Sequence, residues 1–154
     1  MAVTMQSGIK VLNSVPPAAI NADTTSIDFT EVDTKGFDYA NIFVSLGATD
    51  IAIGDMTVTE GDTSASGHAD VTGLIFNTST NTDGDTSTFP SATDDNKVFE
   101  FQIDLRYRKR YLDMTLAFAD GTNGGYVSVL TVLSRADEPP FTSTERGVSQ
   151  ILRV

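Results

Sequence analysis

The chain has 154 residues, 40 % of them hydrophobic and 20 % charged, no cysteine, and a net charge of −11. That length suffices for one domain with a sizeable core, and the composition is that of a globular chain rather than a disordered one. The lack of cysteine excludes disulfides, thiolate metal sites and a cysteine nucleophile, and the acidity opposes general binding to nucleic-acid phosphates. Apolar runs such as Ile42-Phe43-Val44 fall far short of a membrane span, and MAVTMQSGIK lacks the basic start and apolar stretch of a signal peptide. The charge is uneven. Residues 1–105 carry 3 basic and 16 acidic side chains, a balance of −13, whereas residues 106–154 carry 7 basic and 5 acidic, a balance of +2.

Residues 1–25 contain Pro16-Pro17 among small polar residues. They read as an N-terminal arm with at most a short edge strand at Ile9–Leu12. Alternation begins at Ile27, Phe29, Glu31 and Asp33 and stops at Lys35-Gly36. Tyr39–Leu46 follows as a strand with Ala40, Ile42, Val44 and Leu46 on one face. Ile51–Ile53 changes phase at Gly54-Asp55 before Met56 and Val58 resume, which marks a bulge or corner. Residues 60–68 form a polar loop, and Val71–Phe76 is a short strand candidate. Residues 77–96 are a long polar stretch anchored only by Phe89-Pro90, a length that suggests a functional or mobile loop.

The strongest pattern is KVFEFQIDLRYRKRYLDMTLAF, residues 97–118. Phe99, Phe101, Ile103, Leu105 and Tyr107 alternate with polar residues, then Leu112, Met114, Leu116 and Phe118 do the same. The pattern predicts one long β-hairpin turning near Lys109-Arg110, with a buried apolar face. Phe101, Ile103, Leu105, Leu112, Met114 and Leu116 are its core candidates. Asp120–Gly125 is a turn signal. Tyr126–Ser134 is β-branched and apolar at several positions on both faces, so it reads as a central strand buried from both sides. A tail, residues 138–154, follows Asp137, and a short helix within 141–150 would be compatible with it.

Seven or eight strands with almost no helical periodicity give an all-β chain: an antiparallel β-sandwich, jelly-roll-like, spanning residues 26–137 with extended N- and C-terminal arms. No catalytic set converges. His68, the only histidine, lies between Ser66 and Asp70 in a glycine- and serine-rich loop and reads as a solvated residue, since alternate residues of one short loop do not converge on one another. No metal site is expected. The weak candidates are Asp83, Asp85, Asp94 and Asp95, whose N-T-D-G-D-T context departs from a calcium loop by its glycine position and missing glutamate.

Arg106, Arg108 and Arg110 stand at alternate positions, with Lys109 between the last two. On a persisting strand they would share one face. Either they pair with the chain's own acids, or they form an interface to carboxylates of another subunit. The tail adds Phe141, Arg146, Ile151 and Leu152 as further interface candidates, packing on their own domain or on a neighbour.

The segments EVDTKGFDYANIFVSLGATD, DDNKVFEFQIDLRYRKRYLDM and YVSVLTVLSRADEPP resemble small structural proteins of tailed bacteriophages and prophages. They are similar to capsid decoration, or cement, proteins of β-sandwich type, over most of residues 30–140. The resemblance implies a non-enzymatic protein on the virion's capsid surface, without a cofactor, whose partners are the major capsid protein and itself as a homotrimer. No nucleic acid or membrane partner is expected. The rival expectations are a carbohydrate- or host-binding β-sandwich module and a head–tail or tail component.

Overall fold

A computed structural model describes residues 8–17, 27–119, 124–137 and 142–151. Among these described residues, eight strands form two four-stranded antiparallel sheets. Sheet I has the order β1-β8-β3-β6, from Lys10–Val15, Gly125–Ala136, Phe37–Thr49 and Val98–Asp104. Sheet II has the order β2-β7-β4-β5, from Val32–Asp33, Tyr111–Phe118, Ile53–Gly61 and Ala69–Ile75. Their inner faces meet in one core, so the chain is a β-sandwich. No helix among the described residues is long and apolar enough to cross a membrane.

The alternation dictates the core. Ala40, Ile42, Val44 and Leu46 of β3 face Met56 and Val58 of β4 and Leu112, Met114, Leu116 and Phe118 of β7 within one buried cluster. Each fully buried side chain of this size contributes roughly 1.5–3 kcal/mol of transfer energy. All six core candidates of residues 101–116 are buried. Ser14 and Thr131 are polar and wholly inside, and they satisfy each other with a 2.8 Å hydroxyl pair between β1 and β8. The phase change at Gly54-Asp55 is a register shift of β4 against β7 between Ile53 and Asp55.

Two expectations need correction. Residues 97–118 are not a hairpin. β6 pairs with β3 in sheet I, whereas β7 pairs with β2 and β4 in sheet II. The segment is an arch that carries the chain from one sheet to the other. Its bend is a single 3₁₀ turn, Leu105–Tyr107, capped by the Asp104 carboxylate accepting from the Arg106 N–H. From Phe99 to Leu105 and from Leu112 to Phe118 the alternate apolar side chains still point into the core, so burial follows the sequence there although pairing does not. Tyr107, expected on the same face, is exposed because β6 ends at Asp104. β8 is central in its sheet, between β1 and β3, but it is covered on one face only. Tyr126 and Leu130 are 45 % and 41 % exposed on the outer face.

The edges differ in how they are finished. The C-terminal turn at 142–151 lies along β1, where the Val11 N–H donates to the Arg146 carbonyl at 2.8 Å. Gly147 permits this approach: a Cβ there would lie 1.8 Å from the Val11 carbonyl oxygen. Residues 27–31 extend β2 along β7, with the Ile27 N–H donating to Leu116, and the Thr30 N–H crosses to Ser14 of the other sheet. On the opposite side β5 and β6 are open edges. Between them runs a groove of about 690 Å³, lined by Phe76, Phe99, Asn81, Glu100 and Gln102 among others.

Candidate functional site

Two charged regions stand out, one basic and one acidic. The basic region is the bend of the arch. β6 ends at Asp104, so Arg106, Arg108 and Arg110 surround a turn and do not share a strand face as expected. Each meets an acid of its own chain. Arg106 forms a forked pair with Asp104, and Arg110 forms another with Asp33 at 2.8 and 2.7 Å. Arg108 lies 3.6 Å from Glu60, and Lys109 lies 3.3 Å from Asp62. Tyr39 holds two guanidiniums, Arg106 and Arg135, each 5.4 Å from its ring centre. The Arg106 hydrogen bonds hold the Asp104 carboxyl down at about 2, against burial that opposes them. Hydrogen bonding to Arg110 likewise lowers Asp33. At the apex Tyr107 is 80 % exposed.

The tail candidates separate. Arg146 is buried against β1, with 7 % exposure, and Ile151 is half-buried. Phe141 and Leu152 lie outside the described residues. The acidic-loop candidates do not gather. Asp83 and Asp85 are exposed and wrap Asn81, whose side-chain carbonyl accepts both their N–H groups at 3.0 Å. Asp94 accepts from the Ser91 amide and hydroxyl and pairs with Lys97. Asp95 accepts the Thr49 N–H at 2.8 Å. The Asp94 and Asp95 carboxylates fasten the loop to itself and to β3.

The acidic region was illegible in the sequence. On the outer face of sheet II a hollow of about 470 Å³ is lined by Asp28, Asp70, Asp113, Thr59, Thr115 and His68 among others. His68 is not the solvated loop residue expected. Its side chain is 14 % exposed, and its ring lies over Gly61, where a Cβ would come within 2.8 Å of it. Glu31 adjoins it, with Oε2 3.1 Å from His68 Nε2. That oxygen lies off the ring's N–H axis, so Nε2 is sealed from solvent without a hydrogen-bond partner. Among the described residues, Glu31, His68 and Asp113 form the one cluster able to offer a metal three ligand atoms, all within 4.8 Å of one another.

Local structure explains each position. Val32 pairs with Leu112 and both are buried, so Glu31 and Asp113, the positions just beyond that ladder, project outward together. Glu31 also closes the β4–β5 loop, accepting from Ser64 Oγ at 2.6 Å and the Ala65 N–H at 2.7 Å. Burial raises the Glu31 pKa, but these hydrogen bonds and His68 outweigh it and leave the carboxyl below its usual range. Asp113 accepts the Met114 N–H at 2.7 Å through one oxygen.

No protein-family model matches the chain, and a search of curated proteins returns no significant match.

Proposed function

We propose that this chain is a non-enzymatic structural virion protein that binds the exterior of a tailed-phage capsid as an oligomer, a trimer in its simplest form. The observation that carries the reading is the strand order. β1-β8-β3-β6 opposite β2-β7-β4-β5 is the order of an eight-stranded jelly roll, an architecture frequent in viral capsid and lectin domains. Fold is an argument by analogy, since one architecture serves many functions. Surface chemistry adds to it. The bend pairs its cations internally yet leaves Tyr107 outside, and among the described residues Val98, Tyr126 and Leu130 are the other exposed large apolar side chains. Tyrosine and arginine are enriched where proteins bind proteins. A protein that binds the assembled shell and not its separated subunits stabilises the shell by mass action.

Sedimentation of the purified protein, followed by co-sedimentation with intact phage capsids, tests the proposal. An oligomer that pellets with capsids supports it, and weakened pelleting by Tyr107→Ser places the contact at the bend. A monomer with no capsid affinity overturns it.

A second reading, a carbohydrate-binding module, draws on the groove between β5 and β6. There Phe76 and Phe99 stand edge to face, 6.0 Å apart, beside Asn81, Glu100 and Gln102. Glycan binding that is lost on Gln102→Ala without capsid binding would favour it.

A further inference from the structure

We propose that Glu31, His68 and Asp113 form a binding site for a divalent first-row transition ion, zinc foremost, which clasps the strap at residues 27–33, the β4–β5 loop and β7 on the outer face of sheet II. Three independent features of the site lead there.

The first is the orphaned nitrogen. Nε2 is buried and makes no hydrogen bond, and its contact with Glu31 is an ion pair only when the ring is protonated. Buried polar atoms are ordinarily satisfied, so the arrangement is costly. A metal ion satisfies the nitrogen without a proton. The second is the spacing. Ligands each 2.0–2.2 Å from one zinc ion stand roughly 3–3.5 Å apart, at an angle to one another rather than along the ring axis. His68 Nε2 and Glu31 Oε2 are 3.1 Å apart and off that axis. This is poor geometry for a hydrogen bond and good geometry for two ligands of one ion. Asp113 offers the third ligand atom, and all three lie within 4.8 Å of one another.

The third feature is charge. Glu31 and Asp113 are adjacent like charges on neighbouring strands, an arrangement that costs stability when nothing lies between them. Asp28 and Asp70 line the same hollow and add to the negative potential. A divalent cation turns this repulsion into attraction. Glu31 is already fixed by Ser64 and Ala65, and Gly61 leaves room for the His68 ring, so two of the three ligands are positioned beforehand. Imidazole in the ligand set favours zinc, copper or nickel over calcium and magnesium, which prefer oxygen alone. Three protein ligands leave a further position open to the hollow.

The test uses the full chain, stripped with a chelator and titrated calorimetrically with zinc chloride near neutral pH. One zinc per chain is expected, with a raised melting temperature as the bound ion adds its binding energy to the folded state. His68→Gln and Asp113→Asn should each weaken binding at least about tenfold. Asp113→Asn keeps the strand's shape, so it decides the matter if His68→Gln folds poorly. The control, Asp83→Asn with Asp85→Asn, should bind zinc as the parent does. No zinc binding at about millimolar concentration, binding by both ligand variants as tight as the parent's, or calcium chloride binding as tightly as zinc chloride would each overturn the proposal.

Discussion

The bend of the arch and the hollow on sheet II are both crowded with charge, yet folding treats them oppositely. At the bend four consecutive-region cations, Arg106, Arg108, Lys109 and Arg110, each lie beside a carboxylate of the same chain. At the hollow two carboxylates face a histidine whose Nε2 has no hydrogen bond. The bend is conspicuous in the sequence, the hollow is not. What singles out a site is an excess of one charge that folding gathers without matching it one for one, not the density of charge along the chain. The comparison also predicts different energetics. The bend should be held by its apolar underside, with its ion pairs adding little, whereas the hollow should depend on its polar contacts.

The largest effect tests the underside of the bend. Leu112 is wholly buried, next to the basic turn and opposite Val32. Leu112→Ala should cost about 2–5 kcal/mol, from lost transfer energy and a residual cavity. Urea unfolding measures it, and a loss below about 0.5 kcal/mol would mean that the arch is held by something other than its core.

A smaller loss is expected at the hollow. Glu31→Ala removes the acceptor for Ser64 Oγ and the Ala65 N–H and releases the β4–β5 loop. Ala65 has a positive φ of 54°, a conformation that its own side chain does not favour. The expected cost is about 1–3 kcal/mol, with faster hydrogen exchange at Ala65 as the local signature. Exchange at Ala65 unchanged from the parent would show that the loop holds its shape without Glu31, and the contrast with the bend would fail.

The sequence made the faces legible and left the pairing obscure, for a physical reason. Alternation at Phe99–Leu105 and at Leu112–Phe118 says which side chains share a face. It does not say which strand lies alongside. A hairpin in one sheet and an arch between two sheets bury the same residues, so the core candidates were correct and the hairpin was not. The missing signal was in the turn. Tyr107-Arg108-Lys109-Arg110 has no glycine or asparagine, the residues that a tight hairpin turn demands, whereas Asp104 is a good cap for a short 3₁₀ turn. Tyr126–Ser134 misled in a similar way. Its apolar outer residues imply a second covering layer, but Tyr126 and Leu130 face outward. The hollow was beyond sequence reasoning altogether. Glu31, His68 and Asp113 are far apart along the chain and meet only because β2 pairs with β7 while the β4–β5 loop folds back over Gly61.

The next effect should be small, and its smallness is informative. Replacing Arg106, Arg108 and Arg110 with Ser removes two exposed pairs and the long, half-buried contact of Arg108 with Glu60. Solvent-exposed pairs contribute little to folding, so the urea midpoint should stay close to the parent's. A loss as large as that of Leu112→Ala would break the comparison, because the bend would then rest on its charges. If Tyr107 and these arginines contact a capsid, the same variant should lose capsid binding while keeping its fold. Unchanged binding would leave the arginines with their intramolecular role alone.

The smallest effect is a titration. Asp104 and Asp94 both have carboxyl pKa values lowered from 3.8 to about 2, for different reasons. The largest cause at Asp104 is the Arg106 hydrogen bond, whereas at Asp94 it is Lys97, followed by Ser91. A carboxylate lowered in the folded state stabilises the fold above its unfolded pKa, and that contribution is lost as pH falls through the folded value. For both groups the window therefore lies between about pH 4 and pH 2. In the triple arginine variant Asp104 should return towards 3.8 while Asp94 remains near 2. Side-chain carboxyl shifts followed by NMR through that window separate the two. If Asp104 stays near 2 without Arg106, its carboxylate is held by the backbone cap of the 3₁₀ turn and by Arg135, and the forked pair is incidental to the bend. If it rises while Asp94 does not, the forked pair with Arg106 is what lowers it, and an acid answered by its own cation is what distinguishes the bend from the hollow.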